Sequence, residues 1–150
     1  MASTKTRIHG KGDYRQEEII AGEAGIYPGM LVELNSSGYV IKHDDEGGRG
    51  EAMIAQEDVL QGKTKDTVYT ISTIVTVILP VKGAEVNLLI EDGQDVDIGS
   101  PLISAGNGLF KVASDLESGE TYDEVIAYAV EACDLTGSDS DDTLCAARIV

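Results

Sequence analysis

Only a few side chains in this 150-residue chain have types and spacings that could do chemistry. His9 and His43 are the two imidazoles. General acid–base or nucleophilic catalysis needs a base fixed beside the reacting group, and neither histidine lies in a context such as Gly-x-Ser-x-Gly that would provide one. Gly62-Lys63-Thr64 has the ending of a phosphate-binding loop, whose backbone N–H groups cradle phosphate oxygens. The position five before Gly62, which that loop requires to be Gly, is Glu57, and its carboxylate would repel the phosphates. The Gly-rich run 47–50 lacks the spacing as well. Asp139, Asp141 and Asp142 are hard oxygen donors suited to calcium, but their loop has neither the Gly nor the terminal Glu of the helix-loop-helix site, so they read as solvated acids. Cys133 and Cys145 stand twelve positions apart with no Cys-x-x-Cys partner for zinc, which leaves buried free thiols as the expectation. No catalytic residue, metal or cofactor is expected.

The elements that would position these residues read as strands. Thr76–Val112 is the centre of the chain: short apolar runs are cut by turns at Glu91-Asp92-Gly93, Ile98-Gly99-Ser100 and Ala105-Gly106-Asn107-Gly108. Period-2 alternation places Val86, Leu88 and Ile90 on one face, and predicts the same of Val96 and Ile98. Before it, Pro28-Gly29 launches Met30–Leu34, and Asn35-Ser36-Ser37-Gly38 reverses the chain into Tyr39–Lys42, a β-hairpin with a four-residue loop. Asn35-Ser36-Ser37 also matches a glycosylation sequon but reads simply as that turn. His43–Gly50 reads as an exposed polar loop. The β-rich run Thr67–Thr76 is expected to feed the central unit as a strand. Two Ala-rich segments, Glu51–Asp58 and Val125–Asp134, read as strands packed in a barrel wall; helix competes for both, because Ala and Glu favour it. Ala113–Tyr122 is polar and acidic, Thr136–Asp142 an exposed loop, and Thr143–Val150 a closing strand.

Composition sets the class and narrows the partners. Seventeen glycines, no Trp and a middle rich in β-branched residues suit an all-β fold with many turns, and 150 residues suffice for one core. The formal charge of −16 disfavours nucleic acid, whose phosphates call for clustered Lys and Arg. Charge is unevenly spread: residues 1–15 carry Lys5, Arg7, Lys11 and Arg15 against Asp13, a net of +3, so the rest of the chain holds −19. A basic N-terminal arm over residues 1–20 thus precedes an acidic body over 21–150. Such an arm is either a solvated terminus or a segment that orders against an acidic partner surface. No apolar run reaches the length of a membrane span and no hydrophobic signal region opens the chain, so it is expected to remain on the cytoplasmic side of synthesis, away from membranes.

Two resemblances bear on function. Val86, Asp92-Gly93-Gln94-Asp95-Val96 and Gly99-Ser100-Pro101-Leu102 resemble the second half of a lipoyl or biotinyl carrier domain, which implies a modifiable lysine at a hairpin tip. Lys82 is the lysine on offer, only 11 positions before Gly93 and without that family's flanking residues. This leaves a barrel-type carrier or small ligand-binding module as the alternative. Pro28–Leu34, the Gly-rich loop before Ala52–Asp58, Gln61-Gly62-Lys63-Thr64, Leu79–Val86 and Gly99–Leu109, in that order, resemble the head decoration or capsid cement proteins of tailed viruses. That resemblance spans about residues 21–150 and implies a small β-barrel or β-tulip-like body with an extended N-terminal arm. It further implies a homotrimer on the outer surface of the virion, bound to the major capsid protein. Lys5, Arg7, Lys11, Tyr14 and Arg15 are the residues it assigns to the gripping arm.

Overall fold

The computed structural model describes residues 5, 7–48, 50–113, 124–137 and 141–150. Among these the chain is all-β: thirteen strands and one short 3₁₀ turn, Val59–Gln61, with no α-helix. In chain order they are β1 (His9–Lys11), β2 (Tyr14–Ile20), β3 (Val32–Leu34), β4 (Val40–Lys42), β5 (Ile54–Ala55), β6 (Ile74–Pro80), β7 (Glu85–Ile90), β8 (Asp95–Val96), β9 (Pro101–Gly106), β10 (Leu109–Val112), β11 (Ala127–Ala129), β12 (Cys133–Asp134) and β13 (Thr143–Ile149).

The largest sheet has the order β1-β7-β10-β9-β11-β13, and β13 also pairs with β7. That additional pairing closes β7, β10, β9, β11 and β13 into a ring. Closure is antiparallel and long, from Thr143 opposite Ile90 to Arg148 opposite Glu85, and a closed sheet leaves no edge along these strands for unwanted pairing. Val86, Leu88 and Ile90 point into the ring, as their alternation predicts, and meet Leu102, Phe110, Ala127, Cys145 and Ala147 there. The β9–β10 hairpin turns through Gly106, Asn107 and Gly108 at φ of 76°, 55° and 79°. Three successive left-handed residues explain why this turn is spelled with two glycines and an asparagine.

A second, smaller layer packs beside the ring. It consists of the sheet β2-β6-β5 and the hairpin β3-β4, over a separate core that includes Ile26, Val32, Val40, Val75 and Val77. Strand β6 serves both cores, since Val75 and Val77 face the small one while Ile78 joins the main one. A strand buried on both faces reads as a nearly continuous apolar run, and Val75–Leu79, broken only by the buried Thr76, is one. The hairpin at 32–42 forms as expected, with Asn35 Oδ1 accepting from the Ser37 and Tyr39 N–H groups across its loop.

Several expectations are corrected. Val96 is buried but Ile98 is 74% exposed; β8 stops at Val96, and the chain reverses where the Ser100 N–H bonds the Asp97 carbonyl, which breaks the alternation. The strand expected from Thr67 begins only at Ile74, because Thr70–Thr73 make a tight turn with Ser72 at φ 66°. Of the two Ala-rich segments, only Ile54–Ala55 and Ala127–Ala129, with Cys133–Asp134, are strand. His43, expected at the edge of an exposed loop, is fully buried. Lys82 stands in the turn between β6 and β7, which lie in different sheets, so it occupies a corner and not a hairpin tip. Most of Ala113–Tyr122, together with Asp139 of the acidic loop, falls outside the described residues.

Candidate functional site

The N-terminal segment carries the residues singled out by their charge, and the body receives much of it. Residues 3–7 are all polar, but Ile8 is fully buried in the main core. Its N–H donates to a carboxylate oxygen of Glu57 at 3.1 Å, and its carbonyl accepts from the Asn87 N–H at 2.7 Å. Glu57 is itself buried. From there β1 runs along β7, with His9 opposite Val86, and the close approach requires Gly10, since a Cβ there would lie 2.9 Å from the Glu85 carbonyl oxygen. Strand β2 then pairs with β6 at every position from Tyr14 opposite Pro80 to Ile20 opposite Ile74. Residues 8–20, read in sequence as the inner part of an arm, are woven into both sheets.

The five predicted arm residues are distributed over that path. Lys5 Nζ lies 2.9 Å from Glu131 Oε2. Arg7 is exposed, and its backbone carbonyl accepts from the Asn87 side-chain amide at 2.7 Å. Lys11 extends into solvent, its Nζ 3.9 Å from Glu85. The Tyr14 ring packs on the His9 ring with centroids 4.3 Å apart, and Arg15 pairs with its own-strand neighbour Glu17 at 2.9 Å. Tyr14 and Arg15 thus stand near the turn after Lys11, while Lys5 is moored separately at Glu131. Exposed pairs of this kind contribute only about 0.2–1 kcal/mol each, so a partner carboxylate can displace them at small cost.

Sequence reasoning missed Ile8 and Glu57. An isolated Ile among Thr, Arg, His and Gly carries no periodic signal, and Glu57 looks like one more surface acid. Their contact yields a direct expectation. Replacing Glu57 with Ala leaves the buried Ile8 N–H without its carboxylate acceptor, and should cost about 1–3 kcal/mol of stability by urea denaturation. Glu57→Gln, which keeps an acceptor oxygen, should lose less.

The remaining chemistry-bearing groups form no open site among the described residues. His43 Nδ1 lies 2.8 Å from Ser104 Oγ, and Glu33 stands 3.9 Å from Nε2, the residue types of a nucleophilic triad. Yet Ser104 is also fully buried and its Oγ accepts from the Gly106 N–H at 3.1 Å. The group pins the β9–β10 hairpin under β4 and offers no oxygen to a substrate. A cleft of 620 Å³ between the two layers is lined by Tyr27, Met30, Lys42, Lys65, Asp66 and Leu89 among others; its charges are mixed in sign and Lys65 is paired with Asp66 at 2.8 Å. One end of the small layer is apolar on its outside: Ile20 and Ile74, opposite each other in β2 and β6, are exposed, as are Ile71, Val59 and Leu60, the last at 85%. Ile20 and Ile74, side by side across the two strands, make an exposed apolar patch of the kind that marks a protein contact.

No protein-family model matches this chain, and no curated protein matches it in sequence. Among solved structures it is similar to the head fiber gp8.5 N base of bacteriophage phi29, with a TM-score of 0.54, 14% identity, and coverage of 92% of this chain and 95% of that one. At that identity the likeness is one of fold.

Proposed function

We propose that this chain is a structural, non-enzymatic protein of a bacteriophage head, sited on the outer surface of the mature capsid. Within that assignment it acts as a decoration or cement protein, a homotrimer that braces neighbouring copies of the major capsid protein. The observation that carries the proposal is the likeness of fold to the phi29 head fiber base, which extends over nearly the whole of both chains. A basic N-terminal segment on an acidic body, and an apolar end on the small layer, support it from the chemistry: both suit a protein lattice better than a small substrate.

Attachment to an assembled shell gains from charge complementarity at the basic segment and from main-chain pairing if residues before Ile8 add to a neighbouring edge. Ile8, Glu57 and Asn87 already fix the root of that segment. The strongly acidic body repels other free copies and keeps them apart before docking. A barrel-type carrier modified on Lys82 has weaker support, because that lysine sits at an inter-sheet corner.

Pelleting with capsids tests the proposal. Purified protein should co-sediment with expanded capsids that lack it and not with immature ones. Replacing Lys5, Arg7, Lys11 and Arg15 by Gln should weaken attachment by roughly ten- to hundredfold, from the summed worth of four exposed charge contacts, and raised salt should weaken the unmodified protein in the same sense. Absence from both pellets would count decisively against a capsid-binding role.

A further inference from the structure

We propose that Cys133 and Cys145 are a latent disulfide site, which a two-electron oxidant of the peroxide class converts into an intramolecular cross-link. Both are free thiols in this structure. Cys145 is buried on β13 within the main core, and Cys133, half-buried on β12, packs against the same core. The two side chains belong to one packed cluster, Cys133 lying against the core that contains Cys145. The Cys145 thiol also donates to the backbone carbonyl of Glu131, two residues before Cys133, at 3.5 Å.

The backbone already holds the two segments side by side. The Val130 N–H bonds the Ala146 carbonyl at 2.9 Å, and the Ala146 N–H bonds Glu131 Oε1 at 2.8 Å. Proximity of this kind is what a disulfide demands, since cysteines whose Cα atoms lie more than about 7 Å apart cannot be joined without moving the backbone.

The half-buried Cys133 is the thiol that an oxidant reaches first. Its thiolate sulfur attacks one peroxide oxygen, the O–O bond breaks, and the departing oxygen leaves as water, giving a sulfenic acid on Cys133. The Cys145 sulfur then attacks the Cys133 sulfur: the S–S bond forms, the S–O bond breaks, and the hydroxyl leaves as a second water with the Cys145 proton. Two thiols lose two electrons and two protons, and one peroxide becomes two waters. Burial, reinforced by the nearby Glu131 carboxylate, pushes the Cys133 thiol up. Burial likewise pushes Cys145 up, to about 12, with the neighbouring Cys133 and Glu131 adding to the effect. Both are therefore protonated at neutral pH, and because the thiolate is the nucleophile the first step is slow there and accelerates in alkali.

The cross-link would fix the segment that moors the N-terminus, because Glu131 also holds Lys5. This inference stands independently of the capsid proposal. The test exposes the full chain to hydrogen peroxide at neutral and alkaline pH, removes the peroxide with catalase, unfolds the protein, alkylates free thiols and maps the peptides by mass spectrometry. Expected are loss of both alkylatable thiols, a Cys133–Cys145 linked peptide lighter by two hydrogens, faster formation in alkali, and recovery of both thiols with dithiothreitol. Cys133→Ser and Cys145→Ser should each abolish the linked peptide. The proposal is overturned if both thiols remain alkylatable, if Cys133 proceeds to sulfinic acid while Cys145 stays alkylatable, or if the link joins two chains.

Discussion

Phe110→Ala should be the most damaging single substitution in the ring, lowering stability by about 3–5 kcal/mol. Phe110 is fully buried on β10, where it pairs with Ile90 of β7 and fills the interior reached by Leu102 and Ile126. Truncation removes the transfer energy of the ring and leaves a cavity that a closed sheet cannot collapse, because each wall strand is held on both sides by hydrogen bonds. A domain of this size is stable by about 5–15 kcal/mol, so the variant should be marginal at best. Urea denaturation should show a lower midpoint at unchanged slope. Phe110→Leu, which keeps most of the volume, should retain the larger part of the stability. An alanine variant as stable as the parent would mean that the ring interior is not packed as described.

The second large effect separates the two halves of the basic N-terminal segment. Deletion through residue 6 retains Arg7 and Ile8, and should leave a folded protein that has lost the Lys5–Glu131 pair. Deletion through residue 20 should abolish folding. It removes Ile8, whose burial alone is worth about 1.5–3 kcal/mol, together with all of β2, and so leaves β6 only its short pairing with β5. The small core that Val75 and Val77 face would also lose Ile19, which packs against it. Circular dichroism and cooperative thermal unfolding distinguish the two deletions directly: a sigmoidal transition for the first, none for the second. For capsid binding this means that deleting residues 1–15 would confuse lost attachment with lost structure, which is why charge-neutralised variants are the cleaner probe of the arm.

Salt acts unevenly on this molecule. The exposed pairs of Lys11 and Arg15 are screened at moderate ionic strength, whereas the Ile8–Glu57 contact is buried and is screened far less. Raised salt should therefore weaken a charge-driven attachment well before it loosens the root of the segment.

Much of the local architecture was legible in the residues. The alternation of Val86, Leu88 and Ile90, the Asn35–Gly38 turn and the Gly106-Asn107-Gly108 corner each follow from preferences that act over a few residues: which side chains share a face, and which residues tolerate a left-handed backbone. The all-β class follows from those same preferences repeated along the chain. Where the expectation failed, at Ile98, Thr67–Thr73 and His43, a short-range pattern was overruled by a turn or by a distant neighbour: Asp97–Ser100 ends an alternation, and Ser104 draws His43 inward across sixty-one positions.

The tertiary structure alone decided which strands meet. Pairing of β13 with β7 closes the ring between segments more than fifty residues apart, and no periodicity in either one names the other. The same holds for Ile8 with Glu57 and for Cys133 with Cys145: each pair exists because a closed sheet brings remote backbone together. A sequence records the face that a residue prefers; the partner on that face is set by how the whole chain satisfies its hydrogen bonds and fills its core at once.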